Sequence, residues 1–115
     1  MPKKSPGERR LELMQGTLDM MILRALTWGP QHGHGIGQWI RAGSEDLLQI
    51  EHGSLYPALH RLERQGRIAA EWKLTENKQR AKYYRLTPAG KRQLAAAHSR
   101  WAEIVAVIAR VMGPA

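Results

Sequence analysis

Apolar and polar positions recur along the chain with two different periods, and these periods divide it into elements. Between Gln15 and Gly29 apolar residues recur every three or four positions, which predicts a helix that Gly29 and Pro30 end. A glycine-rich turn is expected over residues 31–35, and a short helix should follow and end near residues 43–44. Residues 47–50 fall in a connector whose structure the pattern leaves open.

The segment 54–66 predicts an amphipathic helix with one apolar and one cationic face. Ser54 can cap its start, Pro57 falls in the first turn, where a missing N–H costs nothing, and Gly66 can end it. The leucines at positions 55, 59 and 62 share one face. The opposite face carries Pro57, His60, Arg61 and Arg64.

Two later stretches, residues 68–74 and 80–86, alternate with a period of two and predict half-buried strands. The polar residues 75–79 between them predict the tip of a β-hairpin. Because aromatic residues occur on both faces of this hairpin, the pattern leaves open which face is buried.

The last stretch predicts a long helix from Pro88 to about Met112, with Thr87 as its N-cap and a length of roughly 37 Å at 1.5 Å per residue. Its apolar residues follow a heptad-like spacing that we call the seam: Leu94, Ala97, Trp101, Ile104, Ile108 and Val111. The preceding domain is too small to cover the whole seam, which favours pairing with a second copy of the chain. The alternative is a seam that folds back on its own core.

Charge is concentrated in one part of the sequence. The net charge is +8, and residues 61–92 contain ten basic residues against three acidic ones. Such a local field attracts polyanions, above all nucleic acid, although a basic surface can also serve solubility alone. Residues 1–12 are expected to form a basic, flexible tail.

Other features of the composition narrow the class of protein. The chain has no cysteine, which excludes disulfides and thiolate metal sites and favours a reducing compartment such as the cytoplasm. No apolar run has the length of a membrane span, so no membrane partner is expected. His32 and His34 alone are a weak metal site, and no catalytic motif is present, so we expect no metal, no cofactor and no enzyme activity.

The order of elements therefore predicts a mainly α fold with a small β-hairpin. Three helices followed by a basic hairpin make a winged helix-turn-helix domain, here over residues 13–87, followed by a dimerisation helix over residues 88–112. In such a domain the third helix fits the DNA major groove and the hairpin, or wing, reaches the backbone or the minor groove.

Four segments of the chain resemble the PadR family of bacterial transcriptional regulators, in its short form with a single C-terminal dimerisation helix. They read QGTLD at 15–19, HGHGI at 32–36, GSLYPALHRLE at 53–63 and RAKYYRLTPAG at 80–90. The resemblance implies a dimeric winged helix that binds double-stranded DNA, usually represses genes and is sometimes released by a small ligand. In some members aromatic residues at the dimer interface border an apolar ligand cavity, a role that Trp101 would take here.

Two groups of residues are the candidates for DNA contact. The recognition helix offers Ser54, Tyr56, Pro57, His60, Arg61 and Arg64, where arginine can bridge phosphates or bind guanine. The wing offers the phosphate contacts Lys73, Lys78, Arg80 and Lys82. Structural alternatives exist for each: Ser54 can cap, Tyr56 can pack, and the arginines can pair with acids nearby.

The remaining tryptophans, Trp28, Trp39 and Trp72, are interpreted as packing residues. Two other functions compete with DNA-binding regulation. A winged-helix dimer can bind a protein partner instead of DNA, but it would not need a cationic recognition face. A small RNA-binding protein would share the charge but needs a platform of exposed aromatic residues, which this interpretation of the tryptophans does not provide.

Overall fold

The computed structural model describes residues 15–114, in which four helices and three strands follow one another. The elements are α1 (Gln15–Ala25), β1 (Gln31–His32), α2 (Gly33–Gly43), α3 (His52–Arg64), β2 (Ile68–Leu74), β3 (Arg80–Leu86) and α4 (Pro88–Met112). The expected tail over residues 1–12 lies outside the described residues, as do residues 13 and 14 of the expected domain. The mainly helical fold with a small antiparallel sheet confirms the predicted class.

One hydrophobic core joins the first three helices to the base of the sheet. The leucines of α3 at positions 55, 59 and 62 are almost fully buried, as the helical spacing predicts. Fully buried aliphatic side chains from α1, α2 and β2 pack with them, among them Ile22, Leu23, Ile36 and Ile68. Because α3 is anchored along its whole apolar face, its opposite face is fixed in orientation toward the surroundings.

The two strands of the hairpin have the bounds that the alternation predicts. β2 pairs with β3 in an antiparallel ladder that runs from Ile68 opposite Leu86 to Leu74 opposite Arg80. The buried face, which the sequence left open, is the one with Ile68 and Tyr84. Beyond this pair the hairpin extends past the core, and its outer part is exposed.

The prediction of a glycine-rich turn over residues 31–35 is wrong. Gln31 and His32 form a third strand, which pairs with Tyr84 and Tyr83 of β3. Helix α2 then begins at Gly33, because the Nδ1 atom of His32 accepts a hydrogen bond from the Gly35 N–H at 3.0 Å and caps the helix. Two residues are too few to show a strand period, and histidine is not among the usual capping residues.

The prediction that Ser54 is the N-cap of α3 is also wrong, because the helix begins at His52. The carbonyl of Glu51 accepts hydrogen bonds from the N–H groups of Ser54 and Leu55 at 3.0 and 2.9 Å, so Ser54 already lies within the first turn. Pro57 consequently lies in the second turn and not in the first. The end at Gly66 is confirmed: its φ is +72°, and the hydrogen bond from Arg67 N–H to the Leu62 carbonyl closes a Schellman turn.

Helix α4 begins as predicted, and only its first part lies against the domain. Thr87 caps it by accepting a hydrogen bond from the Gly90 N–H at 3.0 Å. Every described residue from His98 to Pro114 is exposed. The start of the seam is partly covered, since Leu94 packs against the core and Ala97 is half-buried, whereas the rest is exposed, from Trp101 at 44% to Val111 at 80%.

The interpretation of three tryptophans as packing residues is wrong. Trp28 is 67% exposed, Trp39 is 41% exposed and Trp72 is 57% exposed. Trp28 and Trp39 contact each other at 5.7 Å between ring centroids, outside the core. Composition could not show this, because the smaller aliphatic side chains already fill the small core of the domain.

Candidate nucleic-acid interface

The exposed face of α3 presents most of the side chains that the sequence singled out on this helix. Five of the six are solvent-exposed: Ser54, Tyr56, Pro57, His60 and Arg64. Their exposure follows directly from the burial of the leucine face, because a helix that is anchored on one side presents the other. Glu63, the acidic residue of α3, is not one of these five residues. This face of α3 can therefore offer hydrogen-bond donors and a positive charge to a ligand.

Arg61 differs from these five because it is bound within the domain. Its Nη2 donates to the Asp19 carboxylate at 2.6 Å and its Nε donates at 3.4 Å, so the guanidinium is paired with α1. The sequence placed Arg61 on the recognition face and named acids nearby as the alternative. The residue that supplies the acid lies 42 positions away, which no local pattern could have identified.

Tyr56 is held in place by two neighbours at the start of α2 and α3. Its ring meets His52 edge to face at 5.3 Å between centroids. It also lies over Gly33, where a Cβ atom would approach the Tyr56 ring within 2.9 Å. Tyr56 therefore packs against His52 and Gly33 and is still exposed to solvent.

Three basic side chains of the wing make cation–π contacts with aromatic rings of the same hairpin. Each pairs a basic side chain with a ring at 5.1–5.9 Å from its centroid: Arg80 with Trp72, Lys82 with Tyr84 and Lys73 with Tyr83. Such contacts restrict the long side chains without neutralising their charge. The fourth predicted cation, Lys78, sits at the hairpin tip with a φ of +59° and is exposed.

Lys82 is the wing cation that also binds α3. Its Nζ donates to the Glu63 carboxylate at 2.9 Å, which fixes the wing against the recognition helix. The hydrogen bond with Glu63 raises the pKa of Lys82 above its ordinary value, and burial raises the pKa of Tyr84 beside it. Lys82 is thus cationic at neutral pH, but its charge is already partly matched.

A cleft of about 850 Å³ lies between the hairpin and residues 30–34, the segment that leads into α2. Tyr56 lines it from α3, and Trp72, Arg80 and Lys82 line it from the hairpin. The exposed aromatic side chains here remove the argument that the sequence offered against RNA, which rested on their expected absence. The chemistry of the cleft is cationic and aromatic, as a nucleic-acid surface requires.

A second concave surface lies between α1 and the first half of α4. This groove has a volume of about 1,320 Å³, and its wall includes two residues of the seam, Leu94 and Trp101. Other apolar side chains that line it are Met20, Met21, Leu26, Leu48 and Leu86. Trp101 therefore borders an apolar groove in the single chain.

Within residues 15–114 the structure contains no helix that is long and apolar enough to cross a membrane. The same part of the chain contains no group of three or more histidine or acidic side chains that could hold a metal ion. His32 and His34 stack at 6.3 Å between ring centroids, and His32 uses its Nδ1 for the cap of α2.

Three helices followed by a two-stranded hairpin and a long C-terminal helix are the arrangement of winged-helix transcriptional regulators. Comparisons with known proteins agree. A model of the PadR-like family of transcriptional regulators matches residues 22–96, and the chain belongs to this family. Its members are transcriptional regulators and not enzymes.

Relatives and solved structures with similar sequences extend over most of the chain. An uncharacterized protein of Lysinibacillus sphaericus is 32% identical over 99 residues, 86% of this chain and 91% of that protein. A transcriptional regulator of Mycobacterium tuberculosis is 31% identical over 83 residues, 72% and 74% of the two chains. The structure of a transcriptional regulator from Clostridium thermocellum superposes with a TM-score of 0.77 at 33% identity, over 84% of this chain and 93% of that one. A PadR family regulator from Eggerthella lenta gives 0.75 at 31% identity, over 88% and 86%.

Proposed function

We propose that this regulator binds double-stranded DNA in a sequence-specific manner as a homodimer and represses the genes that it controls. The observation that carries the proposal is the cleft beside the wing. Tyr56 of α3 and the wing cations Arg80 and Lys82 border the same cleft, and the other exposed side chains of α3 follow Tyr56 along the helix, so one duplex can meet both elements. Helix α3 would enter the major groove, and the wing would reach the neighbouring backbone or minor groove.

Within this proposal the candidate residues have different roles. Arg64 is exposed in the last turn of α3 and is the side chain best suited to bind a guanine edge or a phosphate. His60, Pro57, Ser54 and Tyr56 would contact the bases and backbone around it. Lys73, Lys78 and Arg80 would neutralise phosphates and set affinity, whereas Arg61 and Lys82 already have partners in the protein.

The proposed homodimer uses the exposed seam of α4. Its apolar residues at positions 101, 104, 108 and 111 form a stripe over three turns that nothing within the described chain covers. A second copy would bury this stripe against its own. Two recognition helices would then face a pseudo-palindromic site whose half-sites lie about one helical turn, roughly 34 Å, apart.

Release by a small apolar ligand belongs to the same proposal. The groove between α1 and α4 is lined mainly by apolar side chains and includes Trp101 of the seam. A ligand bound there would touch both the dimer seam and the helix that carries Asp19, the partner of Arg61 in α3. Dimer geometry and recognition-helix position would both respond to it.

Fluorescence anisotropy across a salt series tests the proposal. The probes are a labelled duplex from the protein's own upstream region, an unrelated duplex and an RNA duplex of the same sequence as competitor. We expect tight binding to the upstream duplex that falls steeply with salt and that RNA does not displace. Equal and weak binding to both DNA duplexes would instead favour the winged-helix module that binds a protein partner, and displacement by RNA would favour an RNA-binding protein.

A further inference from the structure

The outer half of the hairpin carries an exposed indole that the core does not need. Trp72 lies on the same hairpin face as Ile68 and Tyr84, but four residues beyond Ile68 along β2 it has passed the edge of the core. It is 57% exposed, whereas Tyr84 is 6% exposed. Folding alone therefore gains little from a side chain of this size at position 72.

The indole of Trp72 is nevertheless fixed in place. Its partner across the ladder is Lys82, whose Nζ is bound to Glu63 of α3. The guanidinium of Arg80 stacks over the ring at 5.1 Å from the centroid. An exposed aromatic ring that is held by a cation and faces a cleft is a preformed binding surface.

The course of a DNA strand follows from the proposed function, on which this inference rests. The major and minor grooves of a duplex are separated by a sugar–phosphate backbone. If α3 occupies the major groove and the wing reaches the adjacent minor groove, the strand between these grooves must pass between α3 and the wing. The cleft lined by Tyr56, Trp72 and Arg80 is the space available to it.

We propose that Trp72 is a DNA-contact residue, whose indole packs against a deoxyribose while Arg80 binds the phosphate next to it. The C–H groups of a deoxyribose offer an apolar surface that an indole can cover, and the flanking phosphate offers an anion to the stacked guanidinium. Trp72 thereby supplies affinity through apolar burial, and Arg80 supplies it through charge. The contact involves the backbone and is independent of base sequence.

The chain contains a matched control for this pair. Trp28 is also highly exposed, and the guanidinium of Arg24 stacks over it at 4.7 Å. Trp28 does not line the cleft beside the wing. The two tryptophans thus share an exposed indole under a guanidinium, and of the two only Trp72 has the position that a DNA strand would pass.

The test compares variants on the tightest-binding duplex recovered from a random-sequence DNA pool, with affinities measured across a salt series. We expect Trp72→Ala to bind roughly tenfold more weakly, as the loss of one large apolar contact would cause, with an unchanged salt slope. Arg80→Ala should lower the slope by about 0.9, the value for one phosphate contact. Trp72→Phe should recover most of the affinity, and Trp28→Ala should bind like the wild type.

A second measurement leaves Trp72 in place and so does not depend on a substitution at this position. In a protein with Trp28, Trp39 and Trp101 replaced by Phe, whose mass and affinity for this duplex are first matched to those of the wild type, binding of the duplex should protect the fluorescence of Trp72 from quenching by acrylamide. Wild-type affinity for Trp72→Ala, or unchanged quenching in the complex, would overturn the assignment of Trp72 while the proposed function stood. A wild-type protein that binds no duplex from the pool would overturn both.

Discussion

The Asp19 carboxylate in α1 binds the Arg61 guanidinium in α3 through two hydrogen bonds, the shorter of 2.6 Å. Both side chains are mostly buried, with 17% and 21% of their surface exposed. This ion pair joins the helix that borders the apolar groove to the recognition helix. Arg61 therefore holds α3 in position within the domain, and we infer that it acts on DNA through Arg64 and its neighbours, not by direct contact.

Removal of either partner should destabilise the domain. We expect Asp19→Asn and Arg61→Ala each to lower the free energy of unfolding by about 1–2 kcal/mol, because the charge that remains is mostly buried and has lost its partner. Urea unfolding measures this, with Asp46→Asn as the control, since the Arg41–Asp46 pair is well exposed and should contribute well under about 1 kcal/mol. The salt slope of DNA binding should be unchanged in Arg61→Ala, and a decrease of about 0.9 would instead make Arg61 a phosphate contact.

Arg64 should behave in the opposite way. We expect Arg64→Ala to weaken binding to the preferred duplex by about 1–3 kcal/mol with little change in protein stability, because the side chain is exposed and is proposed to contact DNA. Anisotropy titrations measure the affinity. Arg92→Ala is the control, since Arg92 is an exposed arginine on a different helix, α4. Wild-type affinity in Arg64→Ala would remove this residue from the contacts.

The elements with a repeated pattern were predictable from sequence, and those fixed by single contacts were not. The strands 68–74 and 80–86 and the helix 88–112 have the predicted bounds, because several turns or alternations reinforce one another in each. Strand β1 has two residues and exists because β3 pairs with it. The cap by His32 and the early start of α3 at His52 depend on individual hydrogen bonds that residue type alone does not specify.

For the candidate interface, the periodicity of the sequence predicted which residues face outward, but it did not predict their hydrogen-bond partners. The cationic face of α3 follows from the leucine spacing, and five of its six named residues are exposed. The partners of Arg61 and Lys82 come from other elements, Asp19 and Glu63, and only the packing of these elements reveals them. The exposure of Trp72 likewise depends on where the core ends along the hairpin.

Gly90 explains why the turn into α4 tolerates no side chain. Its backbone passes so close to Arg67 that an added Cβ would collide with the Arg67 carbonyl oxygen. That oxygen also accepts a hydrogen bond from the Thr87 N–H at 3.2 Å, so it cannot move freely. We expect Gly90→Ala to cost about 2–3 kcal/mol of stability. Thermal unfolding measures the loss against Gly43→Ala, where open space surrounds the new methyl group and stability should be kept.

Stability at alkaline pH should depend on the contact between wing and recognition helix. The pKa of Lys82 is raised by Glu63 and that of Tyr84 by burial, so the folded chain holds both protons more tightly than the unfolded chain. Their contribution is complete below the ordinary values of 10.5 and 10.0 and is lost as pH rises through the higher folded values. Urea unfolding between about pH 9 and 12 should show a steeper loss for the wild type than for the Glu63→Gln, Tyr84→Phe variant. Equal losses of stability with pH in the two proteins would show that Lys82 and Tyr84 do not cause the pH dependence.

Trp101 provides the test of the seam as a dimer interface. It is 44% exposed in the single chain and lies among apolar residues of α4 that are exposed as well, so a second copy would bury it. We expect Trp101→Glu to shift the protein from dimer to monomer, because the dimer would bury an unpaired carboxylate. Light scattering measures the mass, and Ser99→Glu is the control because position 99 is exposed and lies roughly 200° around the helix from Trp101. A dimer mass for Trp101→Glu would reject the seam, and a monomer mass for the wild type would reject the homodimer itself.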